Sequence, residues 1–218
     1  MSTIIMLRHA HAGPDKRVDD QGRAQIEAIL SVLRDVVGES EAGLVLVSPQ
    51  IRSQETGRRI AREFGWEVCV RFELDTIEGD ATGTLATDVM NHLFVKQVFA
   101  DMKAKRQADP SLSVGAALLV AKGGIRYMMI KTEVLLDMAL DLAMDSPEPP
   151  EVIVMIAHEN TVMSFVWEVG DADYDPDNLG GEFRYAEGAV IGLKFEEGNV
   201  AVCVEQNLRN PWHDKGVA

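Results

Sequence analysis

The chain has 218 residues and a formal net charge of −14, from 21 Lys and Arg residues against 35 Asp and Glu residues. Apolar residues make up 46% of it and charged residues 26%, a composition that is typical of globular proteins and excludes wholesale disorder. The acidic balance argues against nucleic acid or an anionic membrane as a partner, because both are themselves negative, but a local basic pocket for a small anion stays compatible with it. This length predicts one domain over 1–218.

The first third of the chain alternates between short apolar strands and amphipathic helices. Strands are predicted at Thr3–Leu7, Gly43–Val47 and Glu67–Phe72, where aliphatic and β-branched residues follow one another. A helix that ends at Gly38 and another over Gln50–Phe64 are predicted between them. This alternation implies right-handed crossovers and a mostly parallel sheet that is covered by helices.

The middle of the chain, about 81–150, is predicted to be a helical insertion. Thr84–Lys105 has a helical pattern, Asp109–Ser113 interrupts it, and a second helical stretch runs over about 116–144. The pair Gly123-Gly124 weakens the prediction of one continuous helix there, because glycine disfavours helix interiors.

The second helical stretch carries most of its charges on one narrow stripe, formed by Lys122, Arg126, Glu133, Asp137 and Asp141. Lys131 lies off that stripe, and most of the remaining circumference is apolar. An apolar face this wide is normally buried on more than one side. It could therefore pack under the sheet, cap a pocket or form a homodimer contact.

Strands resume after the Pro-rich linker that ends the insertion. Val152–Ile156 is predicted as a buried strand and is followed by a helix over about 160–169. Val190–Phe195 and Val200–Val204 are predicted to form a β-hairpin, and the tail after Asn207 is expected to be loose. The predicted fold class is α/β, a three-layer sandwich around a mostly parallel sheet, with the helical insertion between the third and fourth parallel strands.

Cysteine usage and the absence of a targeting segment favour a cytoplasmic protein. Cys69 and Cys203 lie among apolar residues, and neither belongs to a CxxC or Cys/His pattern that would hold zinc. Two buried thiols are typical of a reducing compartment. The apolar stretch before Arg8 is too short for a secretory leader, and no apolar stretch is long enough to cross a bilayer.

Cationic side chains follow three of the predicted strands, at the sheet edge where parallel sheets bind their ligands. Arg8 and His9 follow the first strand, Arg52 lies just beyond the second, and His158 follows the fourth. Arginine is almost never buried without a partner, and its guanidinium group matches phosphate oxygens with two parallel hydrogen bonds. An acidic protein that collects these cations at one edge is predicted to bind a phosphate group there.

Three segments around these residues resemble the histidine phosphatase superfamily, the group that contains phosphoglycerate mutases and acid phosphatases. They are LRHAHA at 7–12, SPQIRSQETGRRIA at 48–61 and IAHENTV at 156–162. The part over about 3–80 is most similar to the SixA-type phosphohistidine phosphatases, and 151–205 resembles the C-terminal half of superfamily members. The resemblance implies the phosphoglycerate mutase-like fold.

The resemblance also implies a mechanism. His9 would attack phosphorus and form a covalent phosphohistidine, so its other ring nitrogen should donate a hydrogen bond to a fixed acceptor such as a backbone carbonyl. Arg8, Arg52 and His158 would bind the phosphoryl oxygens and stabilise the in-line transition state. Water would then hydrolyse the phosphoenzyme, with no metal ion and no cofactor.

The general acid that protonates the leaving group has three candidates. Glu159 ranks first because it directly follows His158, as an Asp follows the second His in the acid-phosphatase branch. Glu73 stands about where the mutase-like branch places its Glu after the third strand, and Glu78 is the third choice. A phosphohistidine substrate would need no strong acid, because a protonated imidazole leaves readily.

Two residues after the nucleophile depart from the superfamily pattern. Ala10 stands where the family usually has Gly, which is acceptable if the backbone φ there is negative. His11 is an additional histidine, and a structural or surface role is expected for it rather than a contact with substrate.

The leading functional hypothesis is a phosphatase that acts on a phosphomonoester or a phosphohistidine. The insertion would tend to roof the site and favour a small phosphorylated metabolite, whereas the open site of a SixA-like enzyme suits a phosphohistidine-bearing protein. The alternative hypothesis is a non-catalytic module of the same fold that recognises phosphate. The intact set of Arg8, His9, Arg52 and His158 favours the enzyme.

Overall fold

The computed structural model describes residues 2–40, 42–75, 89–144, 147–169, 183–196 and 199–215. Within these residues the strands are β1 (Thr3–Arg8), β2 (Gly43–Val47), β3 (Glu67–Val70), β4 (Val152–Ala157), β5 (Gly188–Glu196) and β6 (Asn199–Leu208). The α-helices are α1 (Asp20–Val37), α2 (Ile51–Phe64), α3 (Val89–Ala108), α4 (Val114–Val120), α5 (Gly124–Met144) and α6 (Glu159–Val169). Short 3₁₀ turns cover Phe72–Leu74 and His213–Lys215.

The strands form one sheet in the order β3-β2-β4-β1-β5-β6. The strands β3, β2, β4 and β1 run parallel, whereas β5 pairs antiparallel with both β1 and β6. Arg8 pairs with Ala157, and Val47 pairs with Ile156, so the carboxyl ends of β1, β2 and β4 finish side by side. The sheet confirms the predicted α/β fold with its mostly parallel strands.

Apolar layers cover both faces of the sheet. Ile5 and Leu7 of β1 pack with α1 and α2 on one face, and Ile4 and Met6 pack with α5 and α6 on the other. Because the side chains of a strand alternate between the two faces, a central strand of such a sandwich must be apolar at every position. The result is the predicted three-layer sandwich, with β1 and β4 at its centre.

Helix α2 lies close against β2, and one glycine permits this approach. A Cβ atom added to Gly57 would lie 2.2 Å from Cγ1 of Val47, far inside van der Waals contact. The helix ends at Gly65, whose φ of 74° is the left-handed conformation that glycine adopts without strain. The first turn of α2, which contains Arg52, is thereby held over the carboxyl end of β2.

The helices between β3 and β4 form an apolar cluster of their own. Phe99 of α3, Leu118 of α4 and Met128 of α5 are among its buried members. The part of α5 nearer its C-terminus, including Leu135, joins the core layer against α6 instead. Among the described residues, no helix combines the length and the apolar character needed to cross a membrane.

The apolar face predicted in the middle of the chain is only partly buried. Leu135 and Met138 pack into the core, but Ile125 and Met129 of the same helix are exposed. The homodimer contact through this face stays a prediction.

The stretch predicted over about 116–144 is helical and is divided at Gly123, where φ is +81°, the place where the pair Gly123-Gly124 weakened the prediction of one continuous helix. Two other sequence predictions about elements are wrong. Phe72 lies in a 3₁₀ turn and not in the third strand, because β2 ends at Val47 and offers no partner beyond Val70. Residues 84–88 of the helix predicted at Thr84–Lys105, and the predicted loop 171–181, lie outside the described residues.

The second wrong prediction concerns the tail after Asn207. Asn210 is 1% exposed, and its side-chain amide donates to the carbonyl oxygens of Gln25 at 2.8 Å and Ala186 at 3.3 Å. The tail is held by these polar contacts with distant backbone and by one apolar residue, Leu208, which is buried in the core. A single apolar residue makes no periodic pattern. Periodicity in the sequence therefore could not reveal it.

Candidate active site

Three neighbouring strand ends bring the predicted site residues together. His9 follows β1, His158 follows β4, and Arg52 lies in the first turn of α2, just beyond β2. The backbone N–H of His9 donates to the carbonyl oxygen of Ala157 at 3.0 Å, which holds the residues after β1 and β4 in register. One cavity of about 240 Å³ is lined by all five predicted site residues, Arg8, His9, Arg52, His158 and Glu159.

His9 is buried and held in a single tautomer. Its Nδ1 lies 2.7 Å from the carbonyl oxygen of Ala10. A carbonyl oxygen only accepts, so Nδ1 carries the proton and Nε2 carries the lone pair. Burial lowers the pKa of His9 well below its ordinary value, and the neighbouring His158 lowers it further. His9 is therefore a neutral imidazole whose Nε2 carries the lone pair, and the predicted hydrogen bond to a backbone carbonyl is confirmed.

The residue after His9 is held by α2. Ala10 is fully buried, and its N–H donates to Oγ1 of Thr56 at 3.1 Å. The Thr56 hydroxyl donates in turn to the carbonyl oxygen of Arg52 at 2.7 Å. The φ of Ala10 is not positive, so alanine fits there without strain. Thr56 thus links the loop of His9 to the helical turn that carries Arg52.

Arg8 is fixed by contacts on several sides. One terminal nitrogen donates to the carbonyl oxygen of Phe183 at 2.9 Å, and the other pairs with Oε2 of Glu159 at 2.8 Å. Its guanidinium carbon lies 4.1 Å from the centroid of the Tyr185 ring, in a cation–π contact. A guanidinium group held in this way is preorganised to meet an anion.

Arg52 and His158 contact each other beside His9. A terminal nitrogen of Arg52 lies 3.4 Å from Nδ1 of His158, and the rings of His9 and His158 pack edge to face with centroids 5.1 Å apart. Nε2 of His158 lies 3.2 Å from Oδ1 of Asp75 and 3.1 Å from Oγ of Ser48. Burial lowers the pKa of His158, and the hydrogen bond with Asp75 opposes this shift.

Both arginines retain donors that an anion can use. Within the described part of the chain, Nε of Arg8 and Nε of Arg52 are buried without a hydrogen-bond partner. Buried donors are normally satisfied, and an unsatisfied one is costly. Two such donors on cationic side chains that line one cavity favour a phosphate group as its ligand.

The structure separates the candidate acids. Glu159 lines the cavity together with His9. Glu73 lines a different cavity, of about 350 Å³, between the 3₁₀ turn after β3 and α5. Glu78 lies outside the described residues. Of the two candidates that are described, Glu159 is the one that stands beside the proposed nucleophile.

Several residues of the cavity escaped sequence reasoning. The apolar ones are Phe99, Met102 and Val114, which we call the helical wall because they belong to α3 and α4. Tyr185 also lines the cavity and carried no signal in the sequence. Asp75, two residues after the candidate Glu73, is not among the lining residues but contacts His158. The helical wall carries no chemical signal, since Phe, Met and Val in a helical pattern predict only a core.

His11 does not line the cavity within the described residues. Its Nδ1 lies 2.8 Å from Oδ2 of Asp19, whose other carboxylate oxygen caps α1 by accepting from the N–H of Gly22. The His11 ring also packs edge-on against Tyr185, with centroids 5.1 Å apart. These contacts agree with the structural role expected for His11.

Solved structures with the same fold include phosphatases. The native mycobacterial glucosyl-3-phosphoglycerate phosphatase has a TM-score of 0.55 and 17% identity, and the match covers 96% of this chain and 99% of that one. SixA of Agrobacterium tumefaciens has a TM-score of 0.53 and 15% identity, and the match covers 95% of this chain and 97% of that one. YhfR of Bacillus stearothermophilus has a TM-score of 0.53 and 12% identity, and the match covers 96% of this chain and 99% of that one. No protein-family profile and no curated protein sequence matches the chain. The chain has the fold of the histidine phosphatase superfamily, as its three motifs predicted.

Proposed function

We propose that the protein is a phosphatase that hydrolyses a phosphomonoester or a phosphohistidine through a covalent phosphohistidine on His9. The observation that carries the proposal is the buried, neutral His9, whose Nδ1 is tied to a carbonyl oxygen while Arg8 and Arg52 line the same cavity. A neutral imidazole beside two guanidinium groups combines a nucleophile with the positive charge that a phosphoryl group requires. The shared fold with structures named as phosphatases supports this reaction class.

In the first step, Nε2 of His9 would attack phosphorus in line with the leaving group. The new N–P bond forms as the bond to the leaving group breaks, and the leaving atom keeps the electron pair and takes a proton from Glu159. Arg8, Arg52 and His158 would hold the phosphoryl oxygens, and the negative charge of the phosphoryl group would favour the protonated form of His158 against the effect of burial. Arg8 pairs with Glu159 at 2.8 Å, so a phosphoryl group would compete for Arg8, and its negative charge would favour protonation of Glu159.

In the second step, water would attack the phosphohistidine. The Glu159 carboxylate left by the first step takes a proton from the water as the new P–O bond forms. The N–P bond breaks, its electron pair returns to Nε2 of His9, and inorganic phosphate leaves. In this scheme Arg8 and Arg52 supply the positive charge around the phosphoryl group, so the scheme includes no metal ion.

We also infer that the substrate is a small phosphorylated metabolite with an apolar portion. The helical wall places Phe99, Met102 and Val114 in the same cavity as the cationic residues. The cavity of about 240 Å³ is smaller than the ~300–1,000 Å³ of typical ligand pockets. The apolar portion of a small substrate would contact this wall.

Hydrolysis of p-nitrophenyl phosphate by wild type and by His9→Ala, both in EDTA, tests the proposed function. We expect turnover by wild type and a loss of kcat of at least ~10³-fold in His9→Ala. The matched control is His11→Ala, which removes a histidine outside the cavity and should keep kcat within a few-fold. After an alkaline quench with ³²P-labelled substrate, wild type should retain an acid-labile label that His9→Ala lacks.

Three other outcomes of this experiment would each contradict a part of the proposed function. Binding of vanadate without turnover would favour the non-catalytic module that recognises phosphate. Failure of both turnover and vanadate binding would contradict the phosphate pocket itself. Activity that disappears in EDTA and returns with a divalent metal would contradict the metal-free scheme.

A further inference from the structure

Lys131 of α5 is a buried cation that the proposed reaction does not use. It is 1% exposed, although lysine is seldom buried without partners. Its ammonium group donates to the backbone carbonyl oxygen of Glu73 and, at 2.7 Å, to that of Asp75. Burial lowers the pKa of Lys131 to about 8, and the nearby acidic residues oppose this shift. One buried side chain thus ties α5 to the segment that follows β3.

Asp75 extends this contact to the candidate active site. Its backbone carbonyl accepts from Lys131, while its side-chain Oδ1 lies 3.2 Å from Nε2 of His158 and 3.3 Å from Nε2 of Gln50. The carboxylate is buried, and a buried carboxylate is stable only when it is paired. The backbone position that Lys131 sets therefore determines where the Asp75 carboxylate meets His158.

We propose that Lys131 is a positioning residue that anchors the backbone at 73–75 and so holds the Asp75 carboxylate against Nε2 of His158. With Nε2–H donating to Asp75, Nδ1 of His158 holds the lone pair that accepts from Arg52. Protonation at Nδ1 would give His158 a proton to donate to a phosphoryl oxygen, which would take the place of this contact with Arg52. The catalytic meaning of this inference rests on the proposed phosphatase function. The contacts from Lys131 to Asp75 and from Asp75 to His158 do not depend on that function.

The charges around His158 predict the direction in which its pKa changes when Lys131 is replaced. The charged or titratable groups that act most strongly on His158 include Asp75, Arg52, Lys131 and His9. Arg8 and Glu159 line the same cavity and are unchanged in every variant below. Asp75 raises the pKa of His158, whereas the charge of Lys131 itself lowers it. If Lys131 acted through its charge alone, its removal would raise the pKa of His158. If Lys131 positions Asp75, its removal weakens the interaction between Asp75 and His158, which raises the pKa of His158 more than the charge of Lys131 lowers it. The pKa of His158 then falls.

The experiment compares wild type with Lys131→Met, which keeps the length of the side chain and removes the ammonium group. The pKa of His158 is followed by ¹H–¹⁵N NMR of the histidine rings, with His158→Gln identifying the signal. We expect the pKa of His158 to fall by ~1 pH unit and kcat/KM for p-nitrophenyl phosphate to fall ~10-fold. The control is Lys122→Met, the same charge change at an exposed lysine, which should change neither.

A second variant tests the route through Asp75. Asp75→Asn keeps the backbone carbonyl that Lys131 binds but removes the carboxylate charge, so it should lower the pKa of His158 at least as much. The double variant Lys131→Met/Asp75→Asn should then lower it no further than Asp75→Asn alone. If Lys131→Met does not fold, Lys131→Gln takes its place, because its amide can donate to one of the same carbonyls, and the same direction is expected.

A raised or unchanged pKa of His158 in the Lys131 variant, or additive shifts in the double variant, would overturn the proposal. The NMR titration needs no turnover, so it decides the role of Lys131 even if wild type has no phosphatase activity. Conversely, activity that depends on His9 together with an unmoved His158 titration would overturn this inference and leave the proposed function in place.

Discussion

The two sides of the candidate active site are built in different ways. The residues proposed to bind and attack phosphate follow β1, β2 and β4, in a sheet that is buried on both faces. The helical wall belongs to α3 and α4, whose apolar cluster is separate from the two core layers. The first side is fixed mainly by backbone hydrogen bonds between strands and by the link through Thr56. The second is fixed by side-chain packing and by a few hydrogen bonds near the helix ends, such as the one from the N–H of Lys122 to Asp101. In the proposed phosphatase, the chemistry and the choice of substrate would therefore reside in parts of the chain that can vary separately.

The strand-end side should be the more sensitive to substitution, and Arg52 should show the largest effect. We expect Arg52→Met to lower kcat/KM for p-nitrophenyl phosphate by ~10³-fold, because a transition-state charge loses a buried donor. Arg58→Met, at an exposed arginine of the same helix, should stay near wild type. Equal losses in both variants would mean that the general positive charge of α2 matters and the cavity does not.

Glu159 should show an intermediate effect that depends on the leaving group. We expect Glu159→Gln to lower kcat by ~10²-fold for an alkyl phosphate and by much less for p-nitrophenyl phosphate, because p-nitrophenolate leaves without a proton. Rates for a series of leaving groups with different pKa values would measure this. A loss that is the same for every leaving group would make Glu159 a structural partner of Arg8 and not the acid.

The helical wall should show the smallest effect, and a selective one. We expect Met102→Ala to lower kcat/KM for naphthyl phosphate by ~10-fold, the usual cost of lost apolar contact, and to leave methyl phosphate almost unchanged. Leu93→Ala, at an exposed residue of the same helix, is the control. Inorganic phosphate should inhibit wild type, Met102→Ala and Leu93→Ala equally. Weaker inhibition of Met102→Ala would mean that the helical wall also affects phosphate binding, which would contradict the difference between the two sides.

Sequence reasoning located one side of the site and missed the other for a physical reason. Arg8, His9 and His158 directly follow apolar strands, and the rule that parallel strands place ligands at their carboxyl ends is enough to bring such residues together. The pairing of β1 with β4 then supplies the geometry.

Residues that contact the site through packing could not be found in this way. Lys131 was recognised as lying off the charged stripe of its helix, but its partners are backbone carbonyls far away in the chain. Met102 and Val114 have the side chains of ordinary core residues. Their place in the cavity depends on how α3 and α4 pack, and no local pattern in the sequence encodes that packing.

The central position of β1 governs when the proposed nucleophile is ready during protein synthesis. Ile4 pairs with both Ile153 and Ile191, so β1 completes its pairing after residues beyond 190 have left the ribosome. Until β4 is made, β1 lacks both of its partner strands, and the long connection between β1 and β4 must close before it is stabilised. A nascent chain that stops before β4 would thus hold His9 beside an unpaired strand. Such a product would be exposed to aggregation, and the cavity proposed to bind phosphate would be unassembled.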